Sequence, residues 1–418
     1  HAPKSTRPLW PNHFLAAAGG HTLPGYPAGG RSDRLYLPPD EVVDRGVPVL
    51  WGRQVADVGG IGRALRTGSW PVRISRQGLR ARMAIASSTS PPRAAPRKAL
   101  VADIGGTNAR LAIADLDTLE LANAVSLRRD GFPSLEAVAE SYLQGVAERP
   151  SAAAIAVAGP VVGETVRLTN SPWSFRREAL RAALGLDECL FLNDFEALAH
   201  ALPHLAPSDL QQIGGSAPAE RAPKVVLGPG TGLGVAGLVW SPSGWVALAS
   251  EGGHASLAVK DAREFAMLER LTRGRERLSV EGVVSGPGLA ETYHVLAEMA
   301  GQTVAPVEAP EVVRRALGGY DACAREALER FAVWLGRFAG DAALFFGARG
   351  GVYIGGGIAP QMVHALSAGT FRHAFEAKGR MTPYLSPIPV YVILIGTKAA
   401  LKGAAAALAG RVERPAIG

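Results

Sequence analysis

The sequence predicts an α/β protein. Strand-length apolar runs end at glycine-rich or polar turns, helical stripes lie between them, and one strand–glycine turn–strand unit occurs twice. The runs fall at residues 99–102, 153–158, 189–192, 224–227 and 351–354, the fourth apolar after its first residue. Each reads as a short buried strand.

The first unit begins at Ala99-Leu100-Val101-Ala102, meets Asp103-Ile104-Gly105-Gly106-Thr107-Asn108, and resumes through Leu111 and Ile113 as a second strand. A tight Gly-Gly turn exposes backbone N–H groups where no side chain blocks approach, which suits phosphate oxygens. Asp103 at the strand end suits Mg²⁺ held through water, and Thr107 suits donation to a phosphate. An ordinary hairpin turn is the plainer reading of the same residues. Ser134 then caps a helix in which Leu135, Val138, Ala139, Tyr142, Leu143 and Val146 form one apolar stripe. After the strand at 153–158 comes Gly159-Pro160, then a polar segment ending Leu168-Thr169-Asn170-Ser171-Pro172-Trp173. That segment is placed against a substrate, with Trp173 assigned to the core.

At Cys189-Leu190-Phe191-Leu192 a strand gives out into Asn193-Asp194, and residues 195–202 read as a helix. A carboxylate and a carboxamide at a strand end occupy a common position for a site in an open α/β sheet. Asp194 is read as a general base for a sugar hydroxyl and Asn193 as a residue that holds the sugar. An Asn-Asp helix cap is the competing reading.

The second unit runs from 224–227 through Gly228-Pro229-Gly230-Thr231-Gly232-Leu233-Gly234 into a strand at 235–240. Gly106-Thr107 and Gly230-Thr231 thus sit in equivalent contexts, one in each half. Two facing hairpins clamp a polyphosphate between two domains, which one hairpin does not. No Gly-Lys-Ser/Thr occurs, so there is no P-loop. The glycine spacing at 228–234 is not G-x-G-x-x-G and leads into strand, so a Rossmann fingerprint is unsupported.

In Glu251-Gly252-Gly253-His254 the glycines let the chain bend so that a carboxylate and an imidazole converge. Glu281 supplies a third side, just before Ser285-Gly286-Pro287-Gly288 opens a helix. Several carboxylates on one polyol give specificity, because a wrong ligand leaves polar groups unpaired. A long helix over 324–346 is apolar on most faces, with Gly336 and Gly340 suited to close packing. The strand at 351–354 runs into Gly355-Gly356-Gly357-Ile358, which leaves room for a flat ring and a ribose. An Ala-rich helix at 398–408 is expected to pack back on the first domain.

Length and composition bound these readings. The 418 residues allow two or three domains, and 47% hydrophobic with 19% charged residues describes a globular protein. No apolar stretch reaches the roughly 18–20 residues a membrane span needs. Cys189 and Cys323 lie far apart, which fits two free thiols in a reducing, cytoplasmic compartment with no disulfide framework or Cys-rich zinc site. The net charge of +7 is local: residues 1–82 hold 12 Lys/Arg against 5 Asp/Glu, and the remainder holds 32 of each sign. The body has no basic excess to recommend nucleic acid as a partner. Residues 1–98 scatter Pro, Gly and Arg without periodicity, lack acidic residues from Val58 onward, and include the linker-like Ser87-Ser88-Thr89-Ser90-Pro91-Pro92. They are read as a disordered N-terminal extension and linker. Three readings compete: dispensable upstream sequence with Met83 as the natural start, a transit-like basic tail, and, least favoured, a folded extra domain. No chemistry is assigned to it.

Six motifs in this order resemble the bacterial glucokinase family, non-zinc type, of the actin/hexokinase superfamily. They are Asp103-Ile104-Gly105-Gly106-Thr107-Asn108-Ala109-Arg110, Leu192-Asn193-Asp194-Phe195, the glycine run from Gly228 to Gly234, Glu251-Gly252-Gly253-His254, Ser285-Gly286-Pro287-Gly288 and Gly355-Gly356-Gly357-Ile358. The resemblance covers about residues 99–410. It implies two actin-like (RNase H-like) ATPase domains around a cleft: a small one from 99–205 with 396–418, and a large one from 206–395. It further implies that Asp194 takes the proton from the 6-hydroxyl of glucose. That hydroxyl attacks the γ-phosphate of ATP in line, giving glucose 6-phosphate and ADP, the first step of glycolysis. Asn193, Glu251, His254 and Glu281 look like the family's hydroxyl-binding residues. Asp103, Gly105, Gly106, Thr107 and Asn108 with Gly230, Thr231 and Gly232 look like its phosphate loops, and Gly356 and Gly357 like its adenosine loop. Mg²⁺ is implied with ATP, and a homodimer is allowed. The related repressor–kinase family shares Glu-x-Gly-His but carries a Cys-rich zinc motif after it, whereas His254 is followed by Ala255-Ser256-Leu257. A kinase for another hexose such as mannose or fructose, polyphosphate as donor, and a catalytically silent sugar sensor are the competing readings. A sensor has no need of Asp194 and a full set of phosphate loops.

Overall fold

The computed structural model describes residues 97–168 and 173–412, which carry two main sheets built on one plan. In the first, every residue of Lys98–Ile104 (β1) except the first is buried, as its unbroken apolar run requires. The glycine turn returns the chain antiparallel as Asn108–Asp115 (β2), and Leu121–Arg128 (β3) forms the edge. On the other side of β1, Ala152–Val157 (β4) and Glu188–Asn193 (β7) pair in parallel; between them in the chain, Thr165–Arg167 (β5) and Ser174–Arg176 (β6) make a separate small hairpin. The spatial order is β3-β2-β1-β4-β7.

The second sheet repeats this arrangement. Lys224–Pro229 (β9) turns antiparallel into Leu233–Ser241 (β10), and Gly244–Ser250 (β11) forms the edge. Val352–Ile354 (β12) and Val390–Ile393 (β13) pair in parallel on the far side of β9, and Leu210–Gln212 (β8) closes the sheet antiparallel to β13. The order β11-β10-β9-β12-β13-β8 reproduces the first sheet with one strand added. The weak repeat seen in the sequence is therefore a duplicated sheet topology. The edge strands β3 and β11 were not anticipated, because their residues are mostly solvent-facing and carry no buried run to read.

The helices that position the rest are Leu135–Leu143 (α1), Arg177–Ala183 (α2), Asp194–Ala201 (α3), Ala262–Leu271 (α4), Gly286–Met299 (α5), Ala322–Phe346 (α6), Thr370–Glu376 (α7) and Lys398–Val412 (α8). Ser134 caps α1 as expected, its Oγ accepting from the Ala137 N–H at 3.2 Å. Gly336 and Gly340 are required by packing. A Cβ on either would sit 2.3 or 2.5 Å from the carbonyl oxygens of Phe371 and Phe375, so α7 lies against α6 only because both are glycine. The Ala-rich α8 does pack on the first sheet, with Leu401, Ala404 and Leu408 against Val101, Ala154 and Leu192. Helix α3 serves both sheets: Ala197 faces the α8 side, while Leu198 and Leu202 pack with Val226, Ala236 and Tyr353 of the second sheet. Trp173 is buried with the Arg129 guanidinium 5.4 Å from its ring, consistent with a core role. The segment Thr169-Asn170-Ser171-Pro172 and residues 1–96, Met83 included, lie outside the described residues. Among the described residues, no helix is long and apolar enough to cross a membrane.

Candidate active site

Strand β1 delivers Asp103 to the end of the first sheet, where it is 7% exposed. Its register partner on β2 is Arg110, whose Nη1 donates to Asp103 Oδ2 at 2.9 Å. Burial pushes the Asp103 carboxyl upward, and Arg110 pulls the other way. The turn between the two strands is closed by Gly105 N–H donating to the Asn108 carbonyl at 3.0 Å. Thr107 stands exposed at its tip.

Where β7 gives way to α3, the cap reading holds for Asn193 and explains the placement of Asp194. Asn193 Oδ1 accepts from the Phe195 and Glu196 N–H groups at 2.9 and 3.2 Å, and Glu196 Oε2 accepts from Asn193 N–H at 3.2 Å, a reciprocal capping box. Asn193 Nδ2 also donates to the Gly159 carbonyl at 3.1 Å. The amide thus holds the junction rigid, and one of its N–H protons stays uncommitted. Asp194 occupies the first turn of α3, its Oδ1 accepting from the Phe195 N–H at 3.0 Å. Burial above all, then the nearby charge of Asp103, pushes its carboxyl up to about 7, with Glu251 adding a smaller push.

The second hairpin is pinned by Gly230 N–H donating to Gly232 O at 2.8 Å, and by Gly286 N–H donating to Gly230 O at 2.9 Å. Glu281 Oε2 accepts from the Leu233 N–H at 2.8 Å, directly over Gly232, where a Cβ would come within 2.4 Å of that oxygen. His254 lies between two carboxylates: its Nε2 is 3.9 Å from Glu251 Oε2 and its Nδ1 3.8 Å from Glu281 Oε1. These separations exceed hydrogen-bond length, so the three groups converge while their polar edges stay open. Gly356 has φ +82°, and a Cβ there would sit 2.7 Å from the Pro229 carbonyl oxygen. Glycine is the residue this approach of the two loops requires.

All of the residues singled out in the sequence line one cavity of about 480 Å³: Asp103, Gly105, Gly106, Thr107 and Asn108; Asn193 and Asp194; Gly230, Thr231 and Gly232; Glu251, His254 and Glu281; Gly356 and Gly357. Arg110, Gly159, Ser250 and Thr397 line it as well and had been given no site role. Arg110 had a readable signal, a cation inside an otherwise apolar strand directly after the glycine turn. Thr397, between a strand and α8, had only the pair Gly396-Thr397 to mark it. A group of three or more His, Cys, Asp or Glu side chains able to enclose a metal is absent among the described residues.

The model of the glucokinase family matches residues 100–411. The chain belongs to the glucokinase family. Glucokinase of Chromobacterium violaceum is 46% identical over 323 residues, covering 77% of this chain and 92% of that protein. Glucokinase of Neisseria gonorrhoeae is 42% identical over 326 residues, covering 78% of this chain and 99% of the relative. Among solved structures, a glucokinase from an Antarctic psychrotroph is 36% identical, with a TM-score of 0.67 over 75% of this chain and 98% of that one. All six glucokinase-family motifs fall inside the matched span, and residues 1–99 fall outside it.

Proposed function

We propose that the chain transfers the γ-phosphoryl group of ATP to the 6-hydroxyl of glucose, with Asp194 as general base. One observation carries the assignment of roles: the Asp194 carboxylate opens into the same cavity as both glycine hairpins and the Glu251–His254–Glu281 cluster. In this reading Asn193, Glu251, His254 and Glu281 hold the sugar hydroxyls. Asp194 takes the 6-hydroxyl proton as that oxygen attacks phosphorus in line, and the bond from phosphorus to the ADP oxygen breaks. A carboxyl held near 7 is a stronger base than an ordinary aspartate while about half of it is still ionised at neutral pH.

The glycines support the placement of the nucleotide. A Cβ at Gly106, Gly230 or Gly357 would meet no protein atom within 4 Å, and none of the three has a left-handed φ. Nothing inside the protein demands glycine there, so the open space above them is assigned to phosphate and adenosine. Asp103 Oδ2 is taken by Arg110, and its other oxygen has no partner among the described residues. Together with the absence of an enclosing ligand set, this fits Mg²⁺ held chiefly by phosphate oxygens and water. When bound, Mg²⁺ neutralises phosphate charge. The division into 99–205 with 396–418 and 206–395 would let the two sheets close over the sugar and exclude water.

The test is a coupled assay with ATP-Mg²⁺ against a panel of hexoses, in which glucose gives the highest kcat/KM. Asp194→Ala should lower kcat roughly 10²–10⁴-fold with a smaller effect on glucose affinity. Near-normal turnover in that variant would remove Asp194 from the role of base.

A further inference from the structure

A second cavity, of about 800 Å³, lies against the same strand–helix unit as the first but is lined by a different set of residues. Asn193, Asp194 and Leu198 border the catalytic cavity; Leu190, Leu192, Glu196 and His200 border this one. Its remaining walls come from β11, the β2–β3 turn, the end of α8, Val161, Arg177 at the start of α2, and Pro203 and His204 just after α3. No role of the proposed kinase reaction falls on it.

Its chemistry is specific. Leu190, Phe191 and Trp245 give it a flat apolar lining. Of its acidic groups, Asp117 is paired with Arg97 at 2.7 Å and Glu196 is turned to the Asn193 N–H. Arg177 and Arg411 have no carboxylate partner among the described residues, so the unpaired charge that those residues bring to the cavity is positive. Arg177 has its guanidinium 5.5 Å from the Phe191 ring, which keeps it at the apolar wall. His200 and His204 have no hydrogen bond among the described residues, and burial holds His200 neutral, down at about 4, with a free donor and acceptor. A cavity of this size suits a metabolite-sized molecule.

We propose that this cavity is an effector site for a small organic anion with a flat apolar body, bound by Arg177 and Arg411 against Phe191 and Trp245. Occupancy reaches the catalytic site through Glu196, which lines this cavity while its carboxylate caps the junction that carries Asp194. An anionic group set beside Glu196 repels its carboxylate, weakens its hold on the Asn193 N–H and so loosens the cap that places Asp194, and turnover falls. The coupling rests on Asp194 being the base; the binding does not.

The probe is 1-anilinonaphthalene-8-sulfonate, titrated into the full chain with the catalytic cavity saturated by glucose and AMPPNP, and read by energy transfer from tryptophan. One saturable site is expected, weakened at least about tenfold in Arg177→Gln/Arg411→Gln and unchanged in Asp194→Asn. Trp245→Phe should lower the energy transfer, part of which persists from Trp240 with its ring 5.2 Å away, and keep the affinity. At saturating glucose and ATP the bound probe should lower turnover about fivefold in the parent chain and not in the double variant. Equal affinity in the double variant, displacement of the probe by AMPPNP, or full turnover with probe bound overturns the proposal. If probe binding behaves as expected while Asp194→Asn keeps its turnover, the base assignment fails and the binding site stands.

Discussion

Asp194 is held where ionising it costs folding energy, and that cost has two measurable consequences. Because burial and Asp103 raise its carboxyl to about 7, kcat/KM should fall as pH drops below about 7, when the base becomes protonated. Asp103→Asn removes a like charge and should move that acidic limb to lower pH. The stability consequence has the opposite sense. With the folded value above the unfolded one, the ionised form penalises the native state, a penalty absent below about pH 4 and complete above about 7. Asp194→Asn should therefore raise Tm by about 2 °C or more at pH 8 and leave it unchanged at pH 4, while turnover collapses. Calorimetry across that range checks the sign. Asn193 and Asp194 were both readable from their position at a strand end. Residue type alone favoured a cap and the paired glycine turns favoured a site; in the structure Asn193 is the cap while Asp194, in the first turn, lines the cavity, so the two readings fall on different residues.

Between elements, the glycines divide by what a methyl group would meet. Gly403 sits under α3, and a Cβ there would come within 1.7 Å of the Ala197 carbonyl oxygen. Gly403→Ala should destabilise the fold by about 1–3 kcal/mol or more, since α8 must retreat from α3. Gly106→Ala and Gly357→Ala meet only open cavity, so stability should stay within about 0.5 kcal/mol. KM for ATP should rise severalfold in both, the contrast that separates a packing glycine from a ligand-facing one. Helix α4 contributes another fixed point. Glu264 on it is 0% exposed and takes Arg337 Nη1 at 2.7 Å and Arg330 Nη1 at 3.3 Å from α6. Glu264→Ala strips Arg337 of its carboxylate while Arg330 keeps Asp261 and Glu326, and should cost about 2–3 kcal/mol, read by urea unfolding. Apolar runs and caps made β1, β4, β7, β9, α1 and α5 readable. The edge strands were not, because they carry no buried run; helix α4 had a local signal that the reading passed over, the Asp261 cap followed by an amphipathic stripe.

At the scale of the molecule, every residue assigned to the site lies within 97–412, and the family match begins at residue 100. A chain starting at Met83 should therefore keep kcat/KM within about twofold of the full chain. It should also lose cation-exchange retention at pH 7, because the +7 of the sequence lies wholly in residues 1–82. A larger loss of activity would assign the N-terminal stretch a part in catalysis.

The order and chemistry of the motifs were determined by sequence alone, because strand-length apolar runs ending in glycine or carboxylate have few structural solutions. The duplicated plan was visible there only as two similar glycine turns. Tertiary structure decided which faces meet. It paired Arg110 with Asp103 across a hairpin and set Glu281 over Gly232. It also divided α3 between two cavities, since proximity across a packed core is a property of the folded chain and leaves no spacing in the sequence.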